Sequence, residues 1–179
     1  DLNTDASVSV SAAMQPAVLY AMPTKGQRVT LSGTGSLTGD MDLWKSQQGT
    51  LVANVPLDYT GTTYISEGTL EVNGEIKGNV NLRARGTLSG KAIVNAISFE
   101  GALNYEGCRL MPTEQMTFKQ GLKLDRKVYM EMDITTAEGS QRADPIKVEG
   151  DLDLSAPATF TIVPAENAVQ PGTFKRIEH

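Results

Sequence analysis

The chain has 179 residues, 40% hydrophobic and 21% charged, which suits one ordinary domain and excludes a membrane bundle or an extended disordered chain. Its net charge of -5, from 16 Lys and Arg against 21 Asp and Glu, argues against nucleic-acid or anionic-membrane partners, which need a basic face. One cysteine, Cys108, and one histidine, the final His179, leave no internal disulfide, thiolate cluster, Ser-His-Asp or Cys-His system, or His-ligated zinc within this sequence.

In chain order, residues 1–28 open at Asp1 with no apolar leader, which reads as a piece of something longer, and the final Arg176-Ile177-Glu178-His179 reads like the start of a purification tag. Nothing along the chain keeps a helical period. Short alternating runs recur instead, at 7–10, 28–31, 69–72, 80–82, 146–148, 152–154 and 159–162. Apolar residues at every second position turn one face of each run to the core. Glycine, Asn and Asp punctuate the runs, where tight corners favour positive φ. The pattern predicts an all-β protein.

Self-similarity sharpens this. Residues 65–74 are echoed at 97–107, where one inserted residue aligns Gly68 with Gly101, Leu70 with Leu103 and Gly74 with Gly107. Between them Gly86-Thr87-Leu88-Ser89-Gly90 sets Leu88 eighteen positions after Leu70, and Gly35-Ser36-Leu37 and Gly49-Thr50-Leu51 stand upstream. A repeat of about twenty residues built from short strands and glycine corners predicts a β-solenoid of roughly seven to ten rungs, and is too short for propeller blades. Short strands alone would also fit a β-sandwich. The repeat length and the low aromatic content, 6%, favour a narrow coil whose core is stacked Leu, Val and Ile.

Residues 48–74 resemble the autotransporter-associated β-strand repeat. The match lies in Tyr59, Thr60, Gly61, Thr63, Ile65, Gly68, Thr69 and Leu70, approached through Gly33-Thr34-Gly35-Ser36-Leu37. It is close over about residues 29–90 and weaker beyond. The resemblance implies a right-handed parallel β-helix in a large secreted or surface-attached bacterial protein, either an autotransporter passenger or an accessory region of another exported, in some cases polysaccharide-active, protein. Two departures accompany it. There is one strong copy with degenerate neighbours, and residues 148–177 lack the ten-residue alternating strands of a membrane barrel. The expected organisation is a single module of residues 1–179. An N-terminal rung or cap (1–28) precedes repeat-rich rungs (29–110), then irregular rungs with a polar loop at 137–144 (111–145). A terminal rung and cap (146–177) follows, because a solenoid's last rung otherwise leaves an unpaired edge.

Chemistry-bearing residues are few. Asp151 with Asp153, and Asp40 with Asp42, sit two apart and share a face, the minimum for paired-carboxylate hydrolysis. A solvated strand face explains them more simply. Gly39-Asp40-Met41-Asp42 and Gly150-Asp151-Leu152-Asp153 lack a second liganding turn for calcium, so neither metal nor cofactor is implied. Trp44, in the polar run 42–48, reads as a loop or edge residue. With Tyr59 and Tyr64, and with Tyr105 and Tyr129 if stacking aligns them, it is the candidate sugar-stacking set. Cys108 reads as a small buried residue. The expected role is a non-catalytic spacer module at the bacterial surface or secreted from it, outer-membrane-associated in the passenger case. Its structural residues are Gly61, Gly68, Leu70, Gly74, Gly86, Leu88, Gly101 and Leu103. Its partners are other domains of the parent chain, with no membrane insertion by this segment. One alternative is a carbohydrate-binding accessory module that takes polysaccharide as partner. The other is a polysaccharide-acting enzyme using Asp151 and Asp153.

Overall fold

In the computed structural model, which describes residues 5–100, 107–123, 128–132, 146–153 and 160–164, every regular element is a β-strand and no helix occurs among the described residues. The first turn of chain holds β1 (Ala6–Ser9), β2 (Ala13–Met14) and β3 (Val18–Ala21). The second holds β4 (Arg28–Ser32), β5 (Ser36–Leu37) and β6 (Asp42–Lys45). Then come β7 (Thr50–Ala53) and β8 (Thr62–Ile65), β9 (Gly68–Val72) and β10 (Glu75–Arg83), and β11 (Gly86–Gly90) and β12 (Ile93–Glu100). A further turn carries β13 (Cys108–Pro112), β14 (Met116–Phe118) and β15 (Leu122–Lys123), followed by β16 (Val128–Met132), β17 (Ile146–Val148), β18 (Leu152–Asp153) and β19 (Phe160–Pro164).

The fold is a parallel β-solenoid. One sheet runs β1-β4-β7-β9-β11-β13-β16-β19 and a second runs β17-β14-β12-β10-β8-β6-β3, so each strand pairs with its counterpart one turn away. Every described ladder is parallel; Leu51, for example, pairs with Leu70 and Leu70 with Leu88. The second sheet bends within β10, where register shifts between Ile76 and Asn79, giving the coil a third, short face. That face is continued by β2 with β5 and by the isolated bridges from Leu37 to Leu57 to Ile76.

The enclosed stack is about five turns, β4 through β15, slightly fewer than the seven to ten rungs the repeat length predicts. The eighteen-residue step from Leu70 to Leu88 holds only in the middle. Leu88 pairs with Leu110, twenty-two residues on, and Val128 with Phe160, thirty-two residues on. Leu110 therefore stands in the column that the sequence echo offers to Leu103; Gly101, Leu103 and Tyr105 lie outside the described residues, as do the loop at 137–144 and residues 165–177 of the expected cap. β17 and β18 are the last strands beside β14 and β15, where a terminal rung is expected.

In-register parallel pairing puts each inward side chain on the same position of the next turn, about 4.8 Å away. Columns of like residues result. Val29, Leu51, Leu70, Leu88 and Leu110 form one. Leu37, Leu57, Ile76, Val94 and Phe118 form another, buried throughout. Ala21, Lys45, Ile65, Leu82 and Phe99 form a third. Close stacking also explains the glycines. Gly68 takes a left-handed φ of +70, and a Cβ there would lie 2.4 Å from the Gln47 carbonyl oxygen and 2.5 Å from that of Gly49. Gly61 and Gly86 have no positive φ and are required by close approach instead, since a Cβ would stand 2.1 Å from the Met41 oxygen and 2.4 Å from the Ile65 oxygen respectively. Gly74 meets neither demand: its φ is not positive, and nothing lies within 4 Å of its Cβ position.

Candidate functional site

The second sheet presents an outward column in register with the buried ones. Tyr20 on β3 pairs with Trp44 on β6, Trp44 with Tyr64 on β8, Tyr64 with Asn81 on β10, and Asn81 with Ser98 on β12. Alternation turns Leu43 and Lys45 inward and so turns Trp44 outward. The Trp44 and Tyr64 rings stack with centroids 4.1 Å apart and planes inclined by 22°. The Arg83 guanidinium carbon lies 5.2 Å from the Trp44 ring centroid and 5.1 Å from that of Tyr64. Near-equal distances place the cation beside the stacked pair rather than at one end of it. Arg83 Nε donates to Asn81 Oδ1 at 3.1 Å and pairs with Glu100 at 3.2 Å, and Asn81 Nδ2 donates to Ser98 Oγ at 3.2 Å. Aromatic surface, one cation and a run of amide and hydroxyl groups thus share one face. Such a face offers ring stacking and hydrogen bonding to a polyhydroxylated ligand.

The sequence-predicted set divides here. Trp44 and Tyr64 come together, though on interior strands of a sheet and not in a loop or at an edge. Tyr59 does not join them. It is fully buried at the corner before β8, where its hydroxyl and that of Thr63 hydrogen-bond each other. Burial, with Asp42 adding to it, raises its phenol well above the ordinary range despite the Thr63 bond. Thr63 takes an inward position between Leu43 and Val80, so its hydroxyl needs a buried partner, and the tyrosine supplies one. Tyr59 is therefore a core residue and carries no binding role. Tyr20, exposed at the head of the column, belongs to the face and went unrecognised in the sequence; its signal was the alternation Leu19-Tyr20-Ala21 repeated by Leu43-Trp44-Lys45.

A second feature was also missed. Lys45 is wholly buried in the third column, and its ammonium donates to the carbonyl oxygens of Gln47 and Glu67, both at 2.8 Å, and of Ser46 at 3.1 Å. Gln47, with φ +66, turns its carbonyl into this corner. Desolvation lowers Lys45 to about 8, with Glu67 pulling the other way. Its Nζ would also lie 2.8 Å from a Cβ at Gly68, so the lysine and the glycine occupy one corner.

The paired acids do not converge on a cleft. Asp42 Oδ1 accepts the Thr62 amide at 2.7 Å while Asp40 is exposed just before β6; Asp153 pairs with Lys123 at 3.4 Å and Asp151 is exposed. Among the described residues no three His, Cys, Asp or Glu side chains gather as metal ligands would. Cys108 is buried, its thiol donating to the Leu82 carbonyl at 3.2 Å. No protein-family model matches this chain, and comparisons with curated proteins and with solved structures find no match either.

Proposed function

We propose that this chain is a non-catalytic β-solenoid module of a secreted or cell-surface bacterial protein, of the autotransporter-associated repeat type, that spaces and presents neighbouring domains of its parent. The observation that carries this reading is the unbroken set of in-register columns through the enclosed turns, with backbone bonds satisfied from turn to turn. Ion pairs that skip a turn add to the stiffness. Arg28 on β4 reaches Glu71 on β9 across β7 at 2.9 Å, and Lys119 beside β14 reaches Glu75 on β10. The test is to attach fluorophores at the two ends of the stack and measure the separation. A single narrow distance, insensitive to salt, supports a rigid spacer; a broad distribution overturns it.

The stacked Trp44–Tyr64 pair favours a second reading, a carbohydrate-binding accessory module. A glycan array probed with the purified chain and with Trp44→Ala separates the two. Saturable binding lost in the variant supports it, and no binding at millimolar sugar removes it.

A further inference from the structure

The outer column of the second sheet is built to donate hydrogen bonds more than to offer a flat ring. Trp44 and Tyr64 lie ring on ring, centroids 4.1 Å apart, so each has one face closed against the other. A ligand lying along the pair meets ring edges, which carry the positive end of the aromatic quadrupole. The polar tips of both rings are open: the Trp44 indole N–H and the Tyr64 hydroxyl bond no described residue, and both side chains are half-buried. Ser98, further along the column, is exposed.

Arg83 completes this surface. It stands two residues beyond Asn81 on β10, and its guanidinium reaches back along the axis until its carbon is 5.2 Å from one ring centroid and 5.1 Å from the other. A point equidistant from two stacked rings lies level with the gap between them, against their edges. The rings therefore wall the cation without neutralising it, because a cation is attracted to a ring's face. Its protein partners hold it through Nε, which donates to Asn81 Oδ1 at 3.1 Å and lies 3.2 Å from Glu100 Oε2. The two terminal nitrogens donate to no described residue, and the side chain is 34% exposed. A guanidinium fixed in this way presents a pre-oriented fork, which matches a planar carboxylate through two parallel N–H···O bonds. Two carboxylates share the face. Glu100 lies beside the fork and competes for it, whereas Asp42 stands two residues before Trp44, on the other flank of the column, with Oδ1 taken by the Thr62 amide.

We propose that this face takes an acidic polysaccharide, with a uronate carboxylate on the Arg83 fork and sugar hydroxyls on Trp44, Tyr64 and Ser98; this narrows the carbohydrate-binding reading and stands only if that reading does. Titration calorimetry of the 179-residue chain with a β-linked mannuronate tetramer tests it against the mannose tetramer of the same linkage, which carries CH₂OH in place of the carboxylate. The acid should bind about tenfold or more tightly than the neutral sugar. Arg83→Gln should abolish that preference. Glu100→Gln should tighten acid binding several-fold, because the competing charge is gone. Equal binding of the two tetramers, or a preference that survives Arg83→Gln, overturns the proposal and leaves the carbohydrate reading standing; binding of neither removes both. Polyglutamate that binds as tightly as the mannuronate also overturns it, since a carboxylate without sugar hydroxyls would then suffice. Should Arg83→Gln disturb folding, the Arg83 side-chain N–H resonances of the unaltered chain decide: they shift on adding the acid tetramer if the fork carries it, and stay in place if it does not.

Discussion

The inward and outward columns of the second sheet obey the same register, yet they are built on opposite chemistry. Inward, Ala21, Lys45, Ile65, Leu82 and Phe99 must fit a narrow space from which water is excluded. Outward, Tyr20, Trp44, Tyr64 and Ser98 meet solvent in varying degree, while Asn81 in the same column is buried beneath its bonds to Arg83 and Ser98. A solenoid thus separates fold from display. Substitutions on the inner face should change stability, and those on the outer face should change what the surface offers.

The sharpest way to break the inner half is at a corner. Gly68→Ala places a Cβ against two backbone oxygens in a left-handed conformation and removes the room that Lys45 Nζ occupies. We expect a loss of about 3–5 kcal/mol, and more for Gly68→Val. Gly74→Ala is the control: open space surrounds it, so stability should change by about 0.5 kcal/mol or less. Urea unfolding of both variants checks the pair, and equal losses would show that corner glycines matter for a reason other than close approach. Next in size is Leu70→Ala, which empties a fully buried level of its column and should cost about 3 kcal/mol in the same measurement.

Lys45 tests whether the inner column tolerates a charge because the corner needs it. Lys45→Met keeps the apolar stem but strands three carbonyl oxygens, a loss of about 1–2 kcal/mol at neutral pH. The pH dependence carries a definite sign. The folded value of about 8 lies below the ordinary 10.5, so between those values the unfolded chain binds the proton better. Stability from this group therefore rises as pH climbs from about 8 toward 10, and below about 8 the cost of burying the charge is borne in full. The gap between the parent chain and Lys45→Met should widen over that window. The raised phenol of Tyr59 acts oppositely above pH 10, where an unfolded tyrosine ionises first, so the comparison ends there. A gap that is flat with pH would mean Lys45 titrates normally.

How much of this was legible follows from what a repeat can encode. The alternation of residues 69–72 and the spacing of Leu70 and Leu88 specify a parallel coil, because in-register stacking demands the same residue type at the same step. Register further along was not legible, since Leu88 pairs with Leu110, twenty-two residues on, where the sequence echo pointed to Leu103. Trp44 was misjudged for a plain reason. Composition around a residue indicates polarity, whereas only the strand's phase decides inside from outside. Asp42-Leu43-Trp44-Lys45 looks like a polar loop until Leu43 is set in the core. The lysine two positions on then has to go inside as well, and the tryptophan outside.

Trp44→Ala addresses the outer half and should have the smallest effect on folding. Truncation removes one member of the stacked pair and one of the two rings beside Arg83, interactions worth about 1 kcal/mol at a half-exposed site. Stability should fall by no more than that, because Leu43 and Lys45 still fill the interior on either side and the β6 ladder to β3 and β8 is unchanged. Arg83 keeps Asn81 and Glu100, so the variant leaves the polar part of the face in place. A loss on the scale of Leu70→Ala would show that the outer column is structural. The separation between a core that folds the chain and a face that displays it would then fail where the face is aromatic.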